Sequence, residues 1–114
     1  MKDIFSLAER KAVVVGGAGG IGQAIAAGLA YYGAEVAIAS RNLANLTQAA
    51  QEIEAETGKK VKVFQVDVVD ETSIKQLVQD TVKAMGRVDI LVNSQGFNVK
   101  HAAIDFPMDE WDRL

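Results

Sequence analysis

The run Val13-Val14-Val15 leads straight into five glycines within seven positions, Gly16, Gly17, Gly19, Gly20 and Gly22, and a helix-forming segment follows at once. A β-branched run reads as a buried strand, and clustered glycines mark a turn whose backbone must come close to something. The helix that opens there points unpaired N–H groups and the positive end of its dipole at the loop, which makes an anion site. Without side chains in the way, a diphosphate can come within hydrogen-bond distance of those amides. That is the physical content of a dinucleotide fingerprint, and Gly17-x-Gly19-x-x-Gly22 fits its spacing. A glycine pattern alone is a weak signal, so the rest of the chain has to agree with it.

The chain in order predicts a strand at Lys11–Val15, a helix at Gly20–Tyr32 stopped by Gly33, and a strand at Glu35–Ser40. Ile21, Ala24, Ile25 and Leu29 lie at helical spacing in that first helix, and Gly28 reads as a point of close packing on the sheet. A second helix is expected at Leu43–Thr57, with Leu46, Ala50 and Ile53 on one face and Gly58 as its end. A third strand follows at Lys62–Val66. Asp70 is placed to cap a third helix whose stripe is Ile74, Leu77, Val78, Thr81, Val82 and Met85, closed by Gly86. A fourth strand is expected at Val88–Val92, then a loop over Ser94–Phe106, then the first turns of a helix from Pro107. Phe5 and Leu7 in the entry segment are expected to pack on the sheet edge.

Strands alternating with helices, without hairpin signals, predict an α/β fold: a Rossmann-type three-layer α/β/α arrangement around a parallel sheet. Right-handed crossovers give the strand order 3-2-1-4, with the first two helices on one face and the third on the other. A ligand then belongs at the carboxyl ends of strands one and four, where the order reverses and the glycine loop sits. On this reading the sheet is expected to be truncated after its fourth strand.

With 114 residues the chain reads as one domain, residues 1–114, without an internal boundary. Its net charge of −3 comes without a basic cluster, which argues against nucleic acid or an anionic membrane as partner. The absence of cysteine removes disulfides, thiolate metal sites and cysteine nucleophiles, and no metal site is expected. Acidic residues near the N-terminus and the lack of a span-length apolar run suggest a cytoplasmic protein.

The strand ends describe the ligand further. An acid about 20 residues past the glycines normally takes the adenosine ribose hydroxyls. Here the end of the second strand reads Ala39-Ser40-Arg41-Asn42. A guanidinium beside a hydroxyl suits a 2′-phosphate, through paired charge-assisted hydrogen bonds, so NADP is expected in preference to NAD. The competing reading is a surface Arg at the start of the second helix. Asp67, with the backbone of Val68, is placed to meet the adenine amino group, or else to cap the third helix with Asp70. Asn93 and Gly96, at the end of the fourth strand, offer an amide side chain and room for a ribose, although a simple turn looks similar.

Together these residues resemble the N-terminal half of a short-chain dehydrogenase/reductase across essentially all 114 positions. Gly16-x-x-x-Gly20-x-Gly22 has the family spacing, and Ser40-Arg41-Asn42, Asp67-Val68 and Asn93-x-x-Gly96 follow in register. The resemblance implies that Gly16, Gly19, Gly20, Ile21 and Gly22 hold the dinucleotide, that Ser40 and Arg41 read the NADP phosphate, and that Asp67 and Val68 take the adenine. Asn93 and Gly96 would serve the region between adenine ribose and nicotinamide. Three positions depart from the family. Val15 stands where a threonine hydroxyl usually helps hold the turn, Gln95 is bulkier than the usual alanine, and Gly19 replaces a residue often basic or hydroxylated in NADP users. The stretch from Gly96 to Trp111-Asp112-Arg113 resembles members that act on sugar acids and polyol-like carbonyls.

The family's catalytic serine and Tyr-x-x-x-Lys pair, in which lysine lowers the tyrosine pKa for proton transfer at the carbonyl, have no counterpart among these residues. Tyr31 and Tyr32 fall in the first helix, and the lone His101 reads as a solvated loop residue. No catalytic residue is therefore assigned. The expected activity is hydride transfer between nicotinamide and a small carbonyl or alcohol, with this chain supplying the cofactor-binding half; a non-catalytic NADP(H)-binding module is the alternative. An S-adenosylmethionine-binding domain shares a glycine-rich first loop, but normally needs the acid that is missing beside Arg41. A bare apolar fourth strand predicts marginal stability, self-association or dependence on the rest of such an enzyme.

Overall fold

The computed structural model describes residues 3–96 and 102–113. Its elements are β1 (Lys11–Val15), α1 (Gly20–Tyr31), β2 (Glu35–Ser40), α2 (Leu43–Thr57), β3 (Lys62–Gln65), α3 (Glu71–Met85), β4 (Ile90–Asn93), a 3-10 turn at Ala103–Asp105, and α4 (Met108–Arg113). All strand pairs are parallel and the order is β3-β2-β1-β4, as the sequence predicts. In register, Val15 faces Ala39 on β2 and Asn93 on β4.

Being central, β1 and β2 are buried on both faces, which is why they read as near-continuous apolar runs. Ala12, Val14, Val36 and Ile38 face α1 and α2 and pack on Ala26, Ala30, Leu46, Ala49 and Ile53. Val13, Val15, Ala37 and Ala39 face the other way, onto Val66 and the Leu77 and Met85 of α3. Caps fix the helix bounds. Asn42 Oδ1 accepts from Asn45 N at 3.0 Å, and Asp70 Oδ1 accepts from Thr72 N at 2.9 Å. Gly58 ends α2 in the left-handed region at φ +74°.

Several expectations need correction. The buried face of α1 is Gly22, Ala26, Ala27 and Ala30, whereas Ile21 and Ala24 are exposed. Small residues let the helix approach the sheet closely, and the larger Ile21 is left at the rim. Gly28 meets nothing within 4 Å of where a Cβ would stand, so it does not serve close packing. On α3 the buried positions are Leu77, Thr81 and Met85, while Ile74, Val78 and Val82 remain exposed. Thr81 is buried without penalty because its Oγ1 donates to Leu77 O at 2.8 Å. Phe5 is exposed, and only Leu7 packs on the core.

The ends of elements shift by a residue or two as well. α1 stops at Tyr31, and β3 stops at Gln65, although Val66 N still donates to Ser40 O at 2.9 Å. β4 begins at Ile90, because Asp89 is held apart as a staple: its N–H donates to Lys11 O and its Oδ2 accepts from Lys11 N, both at 2.8 Å. α4 begins one residue after Pro107. The expected loop after β4 contains the 3-10 turn, and His101 lies outside the described residues.

Glu35 ties the sheet together at its amino end. Its carboxylate accepts from Lys11 Nζ of β1 and from Lys62 Nζ of β3, the latter at 2.9 Å. These hydrogen bonds, Lys11's first, hold the Glu35 pKa below its ordinary value of 4.5. A carboxyl more acidic in the folded than in the unfolded chain adds stability above its unfolded pKa, and that stability is lost as pH falls through the folded value. The melting temperature is therefore expected to fall on acidification below about pH 5. Glu35→Gln should flatten that slope and lower stability at neutral pH by about 0.5–1 kcal/mol, since the group is partly exposed. Thermal melts across pH check both effects.

Candidate dinucleotide site

The carboxyl ends of β1, β2 and β4 are bonded side by side. Gly16 N donates to Ala39 O and Ser94 N donates to Val15 O, both at 2.8 Å. Above them opens a cleft of about 1070 Å³. Its walls are Val15, Gly16 and Ala18 to Gly22 from the first loop, Ser40 and Arg41 from the tip of β2, and Val66 to Val69 after β3. Ser94, Gln95 and Gly96 after β4 complete it, with Arg113 of α4. The site thus lies where the strand order reverses, as a doubly wound sheet requires.

Of the residues singled out in the sequence, Gly16, Gly19, Gly20, Ile21, Gly22, Ser40, Arg41, Asp67, Val68 and Gly96 all line this cleft. Asn93 does not. It ends β4 on the same face as the exposed Leu91, because side chains two apart on a strand share a side. Asp67 is partly engaged in its own loop: Oδ1 accepts from Val69 N at 3.1 Å, and its N–H donates to Ser73 Oγ at 2.8 Å. Asp70 is the residue that caps α3.

The glycines divide into two kinds. A Cβ on Gly22 would stand 2.0 Å from Gly16 O, and one on Gly16 would stand 2.6 Å from the backbone of Ser94. A Cβ on Gly17 would come within 2.7 Å of the Ile38 side chain. These three let the turn, the helix and the loop after β4 close on each other. Gly19 and Gly20, at φ +92° and +58°, have open space where a side chain would be, and both face the cleft. The turn is thereby shaped by one set and kept bare by the other. No acidic residue occupies the first turn of α1 to compete for its amides.

Arg41 stands between the end of β2 and the Asn42 cap of α2. Its carbonyl accepts from Gln65 Nε2 at 3.4 Å, and among the described residues its guanidinium has no carboxylate within ion-pairing distance. The glycine loop and this cation line the same cleft. Nothing comparable for a metal occurs: among the described residues no group of three His, Cys, Asp or Glu could hold one. No helix there is long and apolar enough to cross a membrane.

Comparison with known proteins decides the family. Residues 10–114 match the short chain dehydrogenase family. The chain belongs to it. Within the family, gluconate 5-dehydrogenase of Gluconobacter oxydans is 38% identical over 112 residues, 98% of this chain and 43% of that protein. NADP-dependent mannitol dehydrogenase of Alternaria alternata is 32% identical over 117 residues, 100% of this chain and 44% of that one. L-sorbose reductase of Gluconobacter frateurii, solved with NADPH and L-sorbose, superposes with a TM-score of 0.86 at 29% identity, over 94% of this chain and 41% of that chain. The chain therefore spans less than half the length of these family members. The glycine spacing, the parallel sheet and its strand order all agree with the membership.

One feature of the site was not apparent from sequence. Gly19 N donates to Gln23 Oε1 at 2.8 Å, and Gln23 Nε2 donates to Glu52 Oε2 at 2.6 Å. Gln23 sits four residues after the helix cap, one beyond the position from which a capping-box side chain reaches back, so it carries no such local signal. Its partner on α2 carries none either.

Proposed function

We propose that this chain supplies the cofactor-binding half of an NADP-dependent oxidoreductase that moves hydride between nicotinamide and a carbonyl or alcohol. The observation that carries the reading is Arg41: a cation at the tip of β2, on the cleft wall, with no acid beside it in sequence and no ion pair among the described residues. The NADP dependence of the mannitol dehydrogenase and the NADPH in the sorbose reductase structure support it. Loop amides at residues 20–22 would receive the diphosphate beside the bare Gly19, Arg41 with Ser40 the 2′-phosphate, and Asp67 and Val68 the adenine edge. Bound nicotinamide supplies the hydride chemistry. What this chain contributes is binding, orientation and a bare turn that lets the diphosphate approach the backbone.

Proton transfer at the carbonyl needs groups this sequence does not contain. Neither Tyr31 nor Tyr32 has a lysine four residues on, since Glu35 and Val36 stand there. By itself the chain is then a binding module, and catalysis by the protein rests on further residues. Sugar acids or polyols are the proposed substrate class, as in the gluconate and mannitol enzymes. A cytoplasmic location agrees with the cysteine-free composition. Self-association through β4 is proposed, supported by its place at the edge of the four strands and by the exposed Leu91.

The test is a fluorescence titration of the purified chain with NADPH, NADH and S-adenosylmethionine. NADPH is expected to bind at least about tenfold more tightly than NADH, the worth of one charge-assisted contact. Equal binding of the two removes the NADP assignment, and preference for S-adenosylmethionine removes the oxidoreductase reading.

A further inference from the structure

A helix cap usually accepts from the first-turn amides with its own side chain, but Gly19 has none, and no side chain caps the start of α1. The turn is held from outside instead. Gln23 clasps Gly19 twice, its N–H donating to Gly19 O at 3.3 Å and its Oε1 accepting from Gly19 N at 2.8 Å. An amide side chain can present either end, so something must choose. Glu52 of α2 does: it accepts Gln23 Nε2 at 2.6 Å, and a flipped amide would put oxygen against carboxylate and N–H against N–H. Gln48 Nε2 steadies the other carboxylate oxygen at 3.2 Å. Glu52 does not line the cleft; it lies on the flank between α1 and α2.

We propose that Gln23 and Glu52 are positioning residues that lock the glycine turn in its anion-receiving shape, so that diphosphate affinity depends on an α2 carboxylate outside the cleft. The inference rests on the dinucleotide reading above. The clasp spends the amide of Gly19 internally, leaving the amides of Gly20, Ile21 and Gly22 as the donors aimed outward. Two effects of Glu52 oppose each other. As a negative charge near an anion site it weakens binding; as the group that orients Gln23 it strengthens it. At short range, with the amide otherwise free to turn, orientation wins.

The experiment titrates the chain, and its Gln23→Met, Glu52→Ala and doubly substituted variants, with NADPH and with 2′-AMP, which carries the 2′-phosphate but no diphosphate. Gln23→Met keeps side-chain length and helix propensity while removing the acceptor. It should weaken NADPH about five-fold, the worth of a helix cap. Glu52→Ala should weaken it about three-fold, as loss of one hydrogen bond does. The double variant should be no weaker than Gln23→Met, and 2′-AMP binding should be unchanged throughout. Hydrogen exchange at the Gly19 amide should quicken in each variant, with or without ligand. Tighter NADPH binding by Glu52→Ala would show that charge alone matters and overturn the inference. So would equal losses for NADPH and 2′-AMP, multiplying effects in the double variant, or an unchanged Gly19 exchange rate. Failure of the unsubstituted chain to bind NADPH would instead bring down the dinucleotide reading itself.

Discussion

Gly22→Ala is expected to abolish NADPH binding and to lower the stability of the chain by about 3 kcal/mol, the upper range for forced overpacking. Its added methyl would stand 2.0 Å from Gly16 O and 2.8 Å from Gly16 C, both backbone atoms. Neither can swing aside like a side chain. Gly16 is itself pinned, through its N–H to Ala39 O and by the Ser94 backbone on its other side. Relief therefore has to come from lifting α1 off the sheet, which unpacks Ala26 and Ala30 from the core and spreads the first-turn amides. The internal control is Gly28→Ala in the same helix. Its methyl meets nothing, and alanine in a helix interior gains about 0.5–1 kcal/mol over glycine. Urea unfolding of both variants, with NADPH titration alongside, decides the matter. If Gly22→Ala unfolds like the parent chain, the loop does not close as described.

Arg41→Asp should have the second largest effect, confined to ligand choice. Replacing a guanidinium that faces a phosphate by a carboxylate removes charge-assisted hydrogen bonds and adds repulsion, so NADPH should weaken about 100-fold. NADH, whose ribose hydroxyl can donate to an acid at this place, should gain several-fold. Arg41 is exposed and outside the core, so melting of the free chain should hardly change. Arg41→Ala should lose NADPH affinity without the gain for NADH. The NADPH loss should also shrink as salt is raised, because screening removes part of what the Arg provides. An unchanged ratio of the two affinities in Arg41→Asp would move the phosphate elsewhere on the wall.

Both variants concern residues legible in the sequence, and the reasons are local. Gly58, Asp70 and Gly86 announce helix ends with cap and turn chemistry that needs no knowledge of the rest of the fold, and those ends stand where the sequence predicts them. The near-continuous apolar runs of β1 and β2 fit central strands covered on both faces. Apolar size alone does not mark the buried face of α1. In a helix that must seat its first turn against a loop, glycine and alanine go inward, and Ile21 is released to the cleft. Asn93, whose residue type suits a site, ends β4 beside the exposed Leu91, because strand parity sets its face. The link from Gln23 to Glu52 joins residues 29 apart and exists only once α1 and α2 lie side by side.

The place of β4 in the sheet has a bearing on how the chain assembles. Strands β1, β2 and β3 are neighbours in sequence and can register with one another early. The second side of β1, by contrast, waits for residues 90–93, which pair with residues 12–15 at a separation of 78 positions. Contacts of such separation form late and slowly. Because Gly16 is pressed against Ser94, the nucleotide corner is finished only when that late strand arrives. On a ribosome the first loop would emerge long before the partner that gives it its shape, and ligand can capture that corner only once residues 90–94 are in place.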